Sequence, residues 1–227
     1  MYKYETHLHT SPVSHCAKAG VEESLVFYKK LGYDGVFITN HFLDGNMNWD
    51  YKDAPYEEAI HFYFSDYEKA LEIGKEIGIK VFLGVELTYK GTDFLIYGLD
   101  KAWYLAHPEI MEMKKSDELT LMMESGALII QAHPFREARY IDHIRLYPRH
   151  IHGVEVINAY RTDLENAMAK HYAKSYELLE IAGTDNHWAG EAKALAGIYT
   201  NTPIENEDDF IRQVLNKETK IFHQKLK

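Results

Sequence analysis

Short runs rich in apolar and β-branched residues alternate along this chain with longer amphipathic stretches, and that alternation limits the folds open to it. "YDGVFITNH" (33–41) is apolar at its centre and reads as a buried strand. Before it, "VEESLVFYKKLG" (21–32) places Val21, Leu25 and Tyr28 on one helical face and ends at Gly32, a C-cap residue. "PYEEAIHFYFSDYEKALEIGKEIG" (55–78) predicts a longer helix, broken near Ser65. Two strands follow, at 79–87 and 93–99, joined by a turn at "YKGT". A helix over 116–126 with Ser116 as N-cap leads into the strand "ALIIQAHPF" (127–135), and a further helix is expected over 137–146. Strands at 152–160, 179–187 and 196–200 then alternate with helices at 164–176 and 205–217. About seven β/α units without an intervening linker predict one α/β domain over residues 1–227. Its sheet is expected to be parallel, either closed as a barrel or open and doubly wound.

The polar residues of ligand type fall where these strands stop. His7 and His9 stand at alternate positions just after the first strand, so both side chains point to one face. His41 ends the second strand, Glu86 the third, His133 the strand "ALIIQAHP", and Asp185 with His187 the strand "LEIAGTDNH". In a parallel α/β barrel the strand C-termini meet on one face, so residues far apart in sequence converge there. With His15 in the first loop, six histidines and two carboxylates share one place, which points to a multinuclear metal site.

Composition narrows the partners. The 227 residues carry 35 Asp and Glu against 25 Lys and Arg, a net charge of -10, which argues against a protein that holds long nucleic acid by its phosphates. No apolar run approaches the ~18 residues that span a bilayer, and no basic and apolar leader is visible, so a cytoplasmic protein is expected. Cys16 is the single cysteine, which fits a reducing compartment; beside His15 it reads as a small buried residue, with thiol ligand or nucleophile as the alternatives.

The motifs "HLHT" with His15, then "TNH", "GVE", "AHP" and "GTDNH", in that order, resemble the PHP (polymerase and histidinol phosphatase) family over residues 5 to about 217. The resemblance implies a distorted seven-stranded, TIM-like (β/α)7 barrel that hydrolyses phosphoesters at a trinuclear metal site on the strand C-terminal face. By matching motif, one metal takes His7, His9, Glu86 and Asp185; Glu86 bridges to a second held by His133; His15, His41 and His187 take a third. Asp185, Glu86 and His187 are the expected catalytic residues. Many members place a histidine where this chain has Asp93, which reads either as a ligand of the second metal or as a cap of the preceding turn. Asn40 replaces a common aspartate in "TNH". Two to three divalent ions are implied, and nitrogen with carboxylate donors suits Zn, Mn or Fe.

Such a centre lowers the pKa of a metal-bridging water from ~15.7 towards ~7 and delivers hydroxide to phosphorus. No nucleophile elbow and no P-loop is present in the sequence. Arg136 and Arg161, just beyond strand ends, are the expected phosphate clamps, with Arg139 one helical turn past Arg136. Glu155 reads as structural, with Glu155 or Asn158 orienting a metal ligand as the alternative. Phe42, Trp49, Tyr51, Tyr89 and Trp188 are candidate pocket walls, and 42–56 a candidate lid. A small phosphomonoester is the leading substrate class. A 3′ nuclease acting on short oligonucleotides and a non-catalytic metal-binding module are the alternatives; oligomeric state is left open.

Overall fold

A computed structural model describes residues 1–192 and 194–226. Its strands are β1 (Tyr2–Leu8), β2 (Gly35–Ile38), β3 (Lys80–Tyr89), β4 (Thr92–Tyr97), β5 (Leu128–Ala132), β6 (Gly153–Asn158), β7 (Leu179–Gly183), β8 (Ala194–Thr200) and β9 (Thr219–Lys225). The helices are α1 (Val21–Lys30), α2 (Tyr56–Ile77), α3 (Lys101–Ala106), α4 (Lys115–Glu124), α5 (Asp163–Ser175) and α6 (Glu207–Leu215). One sheet holds all nine strands in the order β7-β6-β5-β4-β3-β2-β1-β8-β9.

The sheet is barrel-like and nearly closed, but it is mixed, not the seven-stranded parallel barrel expected. β1/β2, β2/β3, β5/β6 and β6/β7 are parallel. β3/β4, β4/β5, β1/β8 and β8/β9 are antiparallel. The cause at β4 is local. Tyr89 pairs with Thr92 across only Lys90 and Gly91, and both lie in the left-handed region (φ 51° and 79°). That is the backbone of a two-residue hairpin, whereas a parallel crossover needs a dozen residues or more.

Closure falls on β1. Tyr2 to Tyr4 pair with β8, while Leu8 forms a parallel bridge with Asn186, just beyond β7. The Asp185 N–H donates to the His7 carbonyl at 2.8 Å and the His9 N–H to the Asn186 carbonyl at 3.1 Å. At one end the sheet is packed with Tyr4, Phe37, Phe82 and Tyr97, and Phe210 of α6 lies 4.3 Å from Phe37, ring to ring. Burying such rings against each other contributes on the order of 2 kcal/mol apiece. The strand ends that carry the histidines lie beyond this plug.

Three helical expectations are corrected. Residues 137–146 form no helix: Tyr140, Ile144 and Leu146 are exposed and only Ile141 packs inward, against Gly91, and a short helix that buries so little is marginal. It is held instead by Gln131, whose Nε2 donates to the Arg145 carbonyl at 2.7 Å and whose Oε1 accepts from the Tyr147 N–H at 3.3 Å. α2 runs unbroken through Ser65, whose hydroxyl donates to the Phe62 carbonyl. Ser116 is not a cap, because α4 already begins at Lys115, where the ammonium group pairs with Glu118 and Asp44. The strand β9 and the helix α3 were not expected from the sequence.

Candidate metal centre

Glu86 is the hub. It sits near the end of β3, fully buried, and His41 bridges to it in parallel-strand fashion just past β2. Its carboxylate oxygens lie 3.2 Å from His7 Nε2, 3.4 Å from His9 Nε2, 2.6 Å from His41 Nδ1 and 3.3 Å from His133 Nε2. Asp185 approaches from the far side of the seam, 3.6 Å from His7 Nε2, 3.3 Å from His9 Nε2 and 3.7 Å from His133 Nε2. A shift of register in β1 between Glu5 and Leu8 accompanies the turn of His7 and His9 towards the same space, where their Nε2 atoms are 3.1 Å apart. His133 and Asp185 both have positive φ (24° and 60°), a strained conformation for residues with a Cβ and one that clusters at functional sites.

Three sets of ligand-type atoms lie within 4.8 Å of one another: His7, Glu86 and His133; His7, His9 and Asp185; and His9, His41 and His187. Seven residues expected from the sequence are therefore together. Asp93 joins them as the second residue of β4, with its Oδ2 3.8 Å from His133 Nε2 and 3.6 Å from Arg136 Nη1, so it faces the cluster and does not cap the turn. His15 does not join them. It is exposed, and its ring stacks on Trp49 at 4.0 Å between centroids. The adjacent Cys16 lines the cleft beside His41 and His187 instead.

Charge is shared unevenly across these groups. Burial opposes a charged His7, but the carboxylates of Glu155, Asp185 and Glu86 outweigh it and raise its pKa well above the ordinary imidazole range. His9 goes the other way, lowered by burial and by the neighbouring His41 and His187. Burial pushes Glu86 up, and His41, His7 and His9 more than reverse this, holding it ionised well below the usual carboxylate range. Asp93 is raised by burial and by Glu86. Burial also opposes the Cys16 thiolate, yet contact with His187 and His41 brings its pKa down to about 6.

Of the supporting residues, Glu155, Asn158 and Asn40 were candidates from the sequence, while Ser14 and Asp66 were not. Glu155 on β6 is not a bystander: its Oε1 lies 2.8 Å from His7 Nδ1, and its Oε2 accepts from the His133 N–H and from Asn158 Nδ2. Asn158 also donates to Asp185 Oδ2 at 3.2 Å. The signal was present, since "GVE" occurs twice, at Glu86 and at Glu155. Ser14 Oγ lies 3.1 Å from His9 Nδ1 and donates to Asn40 Oδ1. Asn40 Nδ2 in turn donates to Asp66 Oδ2, so α2 supplies the carboxylate that "TNH" lacks.

Above the cluster opens a cleft of about 660 Å³, lined by Lys90, Arg136, Arg161, Tyr140, Tyr160 and Trp188 together with His41, Asp93, Asp185 and His187. Arg136 and Arg161 are both where phosphate clamps were expected; Arg139 lies outside this lining. Of the proposed aromatic walls only Trp188 lines it. Phe42 is buried in the core and Tyr51 stacks on Phe62. The segment 42–56 contributes Asp44, Gly45 and Asn46 to the rim.

No protein-family model and no curated protein sequence matches this chain. Solved structures do. A two-domain protein from Bacteroides vulgatus containing a predicted PHP-like metal-dependent phosphoesterase superposes with a TM-score of 0.68 at 16% identity, covering 97% of this chain and 64% of that one. A structure from Bifidobacterium adolescentis, described as a metal-dependent phosphoesterase, gives 0.56 at 14% identity over 96% and 97% of the two chains. The lesion-specific endonuclease PfuEndoQ from Pyrococcus furiosus gives 0.62 at 14% identity, covering 97% of this chain and 57% of its own. The chain thus spans less than two thirds of the first and third of these proteins. At such identities the likeness is one of fold. This chain has the fold of the PHP-like phosphoesterases, the family its motif order resembles. No helix among the described residues is long and apolar enough to cross a membrane.

Proposed function

We propose that residues 1–227 form one catalytic domain, a metal-dependent phosphoesterase that hydrolyses a small phosphomonoester. Glu86 carries the reading. Neither of its oxygens has a hydrogen-bond partner, it is fully buried, and four imidazoles surround it. A buried anion in that state is costly unless cations compensate it, and a carboxylate bridging two divalent ions is compensated on both oxygens. His7, His9, Glu86 and Asp185 would hold one ion, and Glu86, His133 and Asp93 a second; His41 and His187 would contribute to a third. Two to three ions of Zn, Mn or Fe fit this donor set better than Mg, which prefers oxygen alone. Divalent ions bound there would polarise a phosphoryl oxygen and acidify water to a nucleophile at neutral pH.

The chain's own cations would do the rest. Arg136 and Arg161 each have a buried Nε without a hydrogen-bond partner, and both line the cleft with Lys90. Together they suit a phosphate dianion. Asp93, 3.6 Å from Arg136 Nη1, would hold that guanidinium over the site. Tyr140, Tyr160 and Trp188 would wall the organic part of the substrate, and about 660 Å³ is room for a small molecule. A nuclease acting on short strands is the second reading, favoured by the fold shared with PfuEndoQ; the net charge of -10 weighs against long duplexes.

The test is hydrolysis of a panel of phosphomonoesters, phosphodiesters and short oligonucleotides by protein stripped with chelator and reloaded with Mn or Zn. Asp185→Asn is the control, since Asn tolerates the left-handed backbone at that position. Monoester turnover that returns with metal and falls by roughly 10²–10³ in the variant is expected, the size seen when one electrostatic element of a site is removed. Nucleotide release without monoester turnover would shift the reading to the nuclease, and metal retention with no turnover on any substrate would refute catalysis.

A further inference from the structure

Ser14 Oγ takes part in three hydrogen bonds and carries one hydrogen, and its partners decide where that hydrogen goes. The His41 N–H donates to it at 3.0 Å. Asn40 Oδ1, at 2.8 Å, has no hydrogen to give and accepts from it. The Asn40 amide is oriented independently from both ends. Its Oδ1 also accepts from the Thr10 N–H at 2.7 Å, while its Nδ2 donates to Thr10 Oγ1 at 2.9 Å and to Asp66 Oδ2 at 3.3 Å. Turned the other way, the amide would set its NH2 against a backbone N–H and its oxygen against a carboxylate. The Ser14 hydrogen therefore goes to Asn40, and the remaining partner, His9 Nδ1 at 3.1 Å, has to supply a hydrogen of its own. His9 then turns a bare Nε2 towards Asp185 and Glu86, 3.3 and 3.4 Å away.

The chain of bonds ends on α2. Asp66 Oδ2 collects three donors: Thr10 Oγ1 at 2.8 Å, Asn40 Nδ2, and the Val13 N–H at 3.3 Å. Tyr63, one turn earlier on the same face of the helix, donates its hydroxyl to the Asn40 carbonyl at 2.7 Å. His9, Thr10, Ser14, Asn40, Tyr63 and Asp66 are all at most 3% exposed. In such surroundings hydrogen bonds strengthen and polarise one another, so a carboxylate at one end is felt at the other. His7 has the Glu155 carboxylate directly on its Nδ1; His9 reaches one only through two intervening side chains.

We propose that Asp66 is a positioning residue for His9: through Asn40 and Ser14 it locks the imidazole in the Nδ1–H tautomer and keeps Nε2 bare for a cation, so that a helix outside the cluster sets metal affinity. The effect on affinity rests on the metal-centre reading above. The tautomer does not, because it belongs equally to the metal-free protein.

The two parts are therefore tested separately. Full-length protein carrying isotopically labelled histidine is stripped of metal and observed by long-range proton–nitrogen correlation, with His9 identified by its loss in His9→Gln. We expect His9 protonated at Nδ1 and bare at Nε2. Ser14→Ala should shift it towards the other tautomer and weaken metal binding by roughly 10–100-fold, measured by competition with a chelator. Asp66→Asn keeps an acceptor oxygen but removes the charge, and its loss should fall at the lower end of that range. Combining Asp66→Asn with Asn40→Asp reverses the bond between the two residues and returns a carboxylate to the strand end. That swap should restore the tautomer and most of the affinity, which repair of mere structural damage would not do. A proton on His9 Nε2 in the stripped wild type would overturn the tautomer. Unchanged affinity in Ser14→Ala or Asp66→Asn, or a swap no better than Asp66→Asn alone, would overturn the relay. A wild type with the expected tautomer and no bound metal would refute the metal-centre reading, and with it the role of Asp66 in affinity, while the tautomer stands.

Discussion

Glu155 Oε1 lies 2.8 Å from His7 Nδ1, and this contact fixes the imidazole with its Nε2 3.2 Å from Glu86. A carboxylate behind a ligating histidine sets both the ring's orientation and its basicity. Glu155 uses both oxygens, one for His7 and the other for the His133 N–H and Asn158. Glutamine offers a single acceptor. Glu155→Gln is therefore expected to weaken metal binding by roughly 10–100-fold, the range for loss of such a partner. Competition with a chelator of known affinity measures it; an affinity within twofold of wild type would refute the role.

Removal of metal should cost stability. Without cations, Glu86 keeps two oxygens with no hydrogen bond in a fully buried position. Ligands that bind only the folded state stabilise it by about 2.7 kcal/mol at a hundredfold excess over Kd. The thermal midpoint is expected to drop on chelation and to rise again with added Zn or Mn, by several degrees. Identical midpoints with and without metal would contradict this.

Glu5 makes the chelated protein sensitive to pH. Burial drives its pKa from 4.5 to about 7, although its Oε1 accepts from the His7 and Thr184 N–H groups at 2.9 Å each. Between those two pH values the folded state holds a proton that the unfolded state has lost, so stability falls as pH rises through the window. Glu5→Gln keeps the Oε1 acceptor and cannot ionise. It should make the chelated protein more stable at pH 8 by as much as about 3 kcal/mol, with the gain fading towards pH 4.5. Denaturant titrations at the two pH values decide it; a gain independent of pH would exclude ionisation of Glu5 as its source.

Gly183, in "GTDNH", is required by close approach. A Cβ there would stand 2.5 Å from the Cβ of His7 and 3.0 Å from Glu155 Oε1. Gly183→Ala should destabilise the protein by about 1–3 kcal/mol, the usual cost of overpacking, and should also lower metal affinity because His7 is the group displaced. Unfolding and metal titration on the same variant measure the two effects, and a loss of stability without any loss of affinity would separate Gly183 from the site.

Much of this centre was legible in the sequence because its members sit where strands stop. His7, His9, His41, His133, Asp185 and His187 fall at or just past such points, while Glu86, expected to end its strand, lies three residues before the end of β3; period and composition locate strands well. What sets direction was harder to read. The hairpin at Lys90–Gly91 was visible, yet its consequence, an antiparallel β4, contradicts a wholly parallel sheet and was not drawn from it. His15 and Cys16 differ by one position, and which of them turns inward depends on backbone hydrogen bonds to Asn46 and Thr10 that leave no pattern in composition. Residues 137–146 were expected to be helical, but Tyr140, Ile144 and Leu146 are exposed, so most of the segment's apolar side chains find no core to bury against. Ser14, Asp66 and Glu155 act through other side chains, and a residue's neighbours in space are not written in its neighbours along the chain.

The bridge between Leu8 and Asn186 has a second meaning. On one side of it stand His7 and His9, on the other Asp185 and His187, and the hydrogen bonds that join the two segments come from the amides of His9 and Asp185 themselves. A cation gripped by both sides, as proposed above, would act as a rivet through the joint where the first strand meets the end of the seventh. Springing the cylinder open along that line would pull the ligand set into two incomplete halves, and emptying the set would leave the joint to these two backbone hydrogen bonds, the Thr6 hydroxyl on the Ala182 carbonyl, the Thr184 N–H on Glu5 and the packing around them. The proposed metal ligands and the clasp that keeps the wall shut are the same few residues.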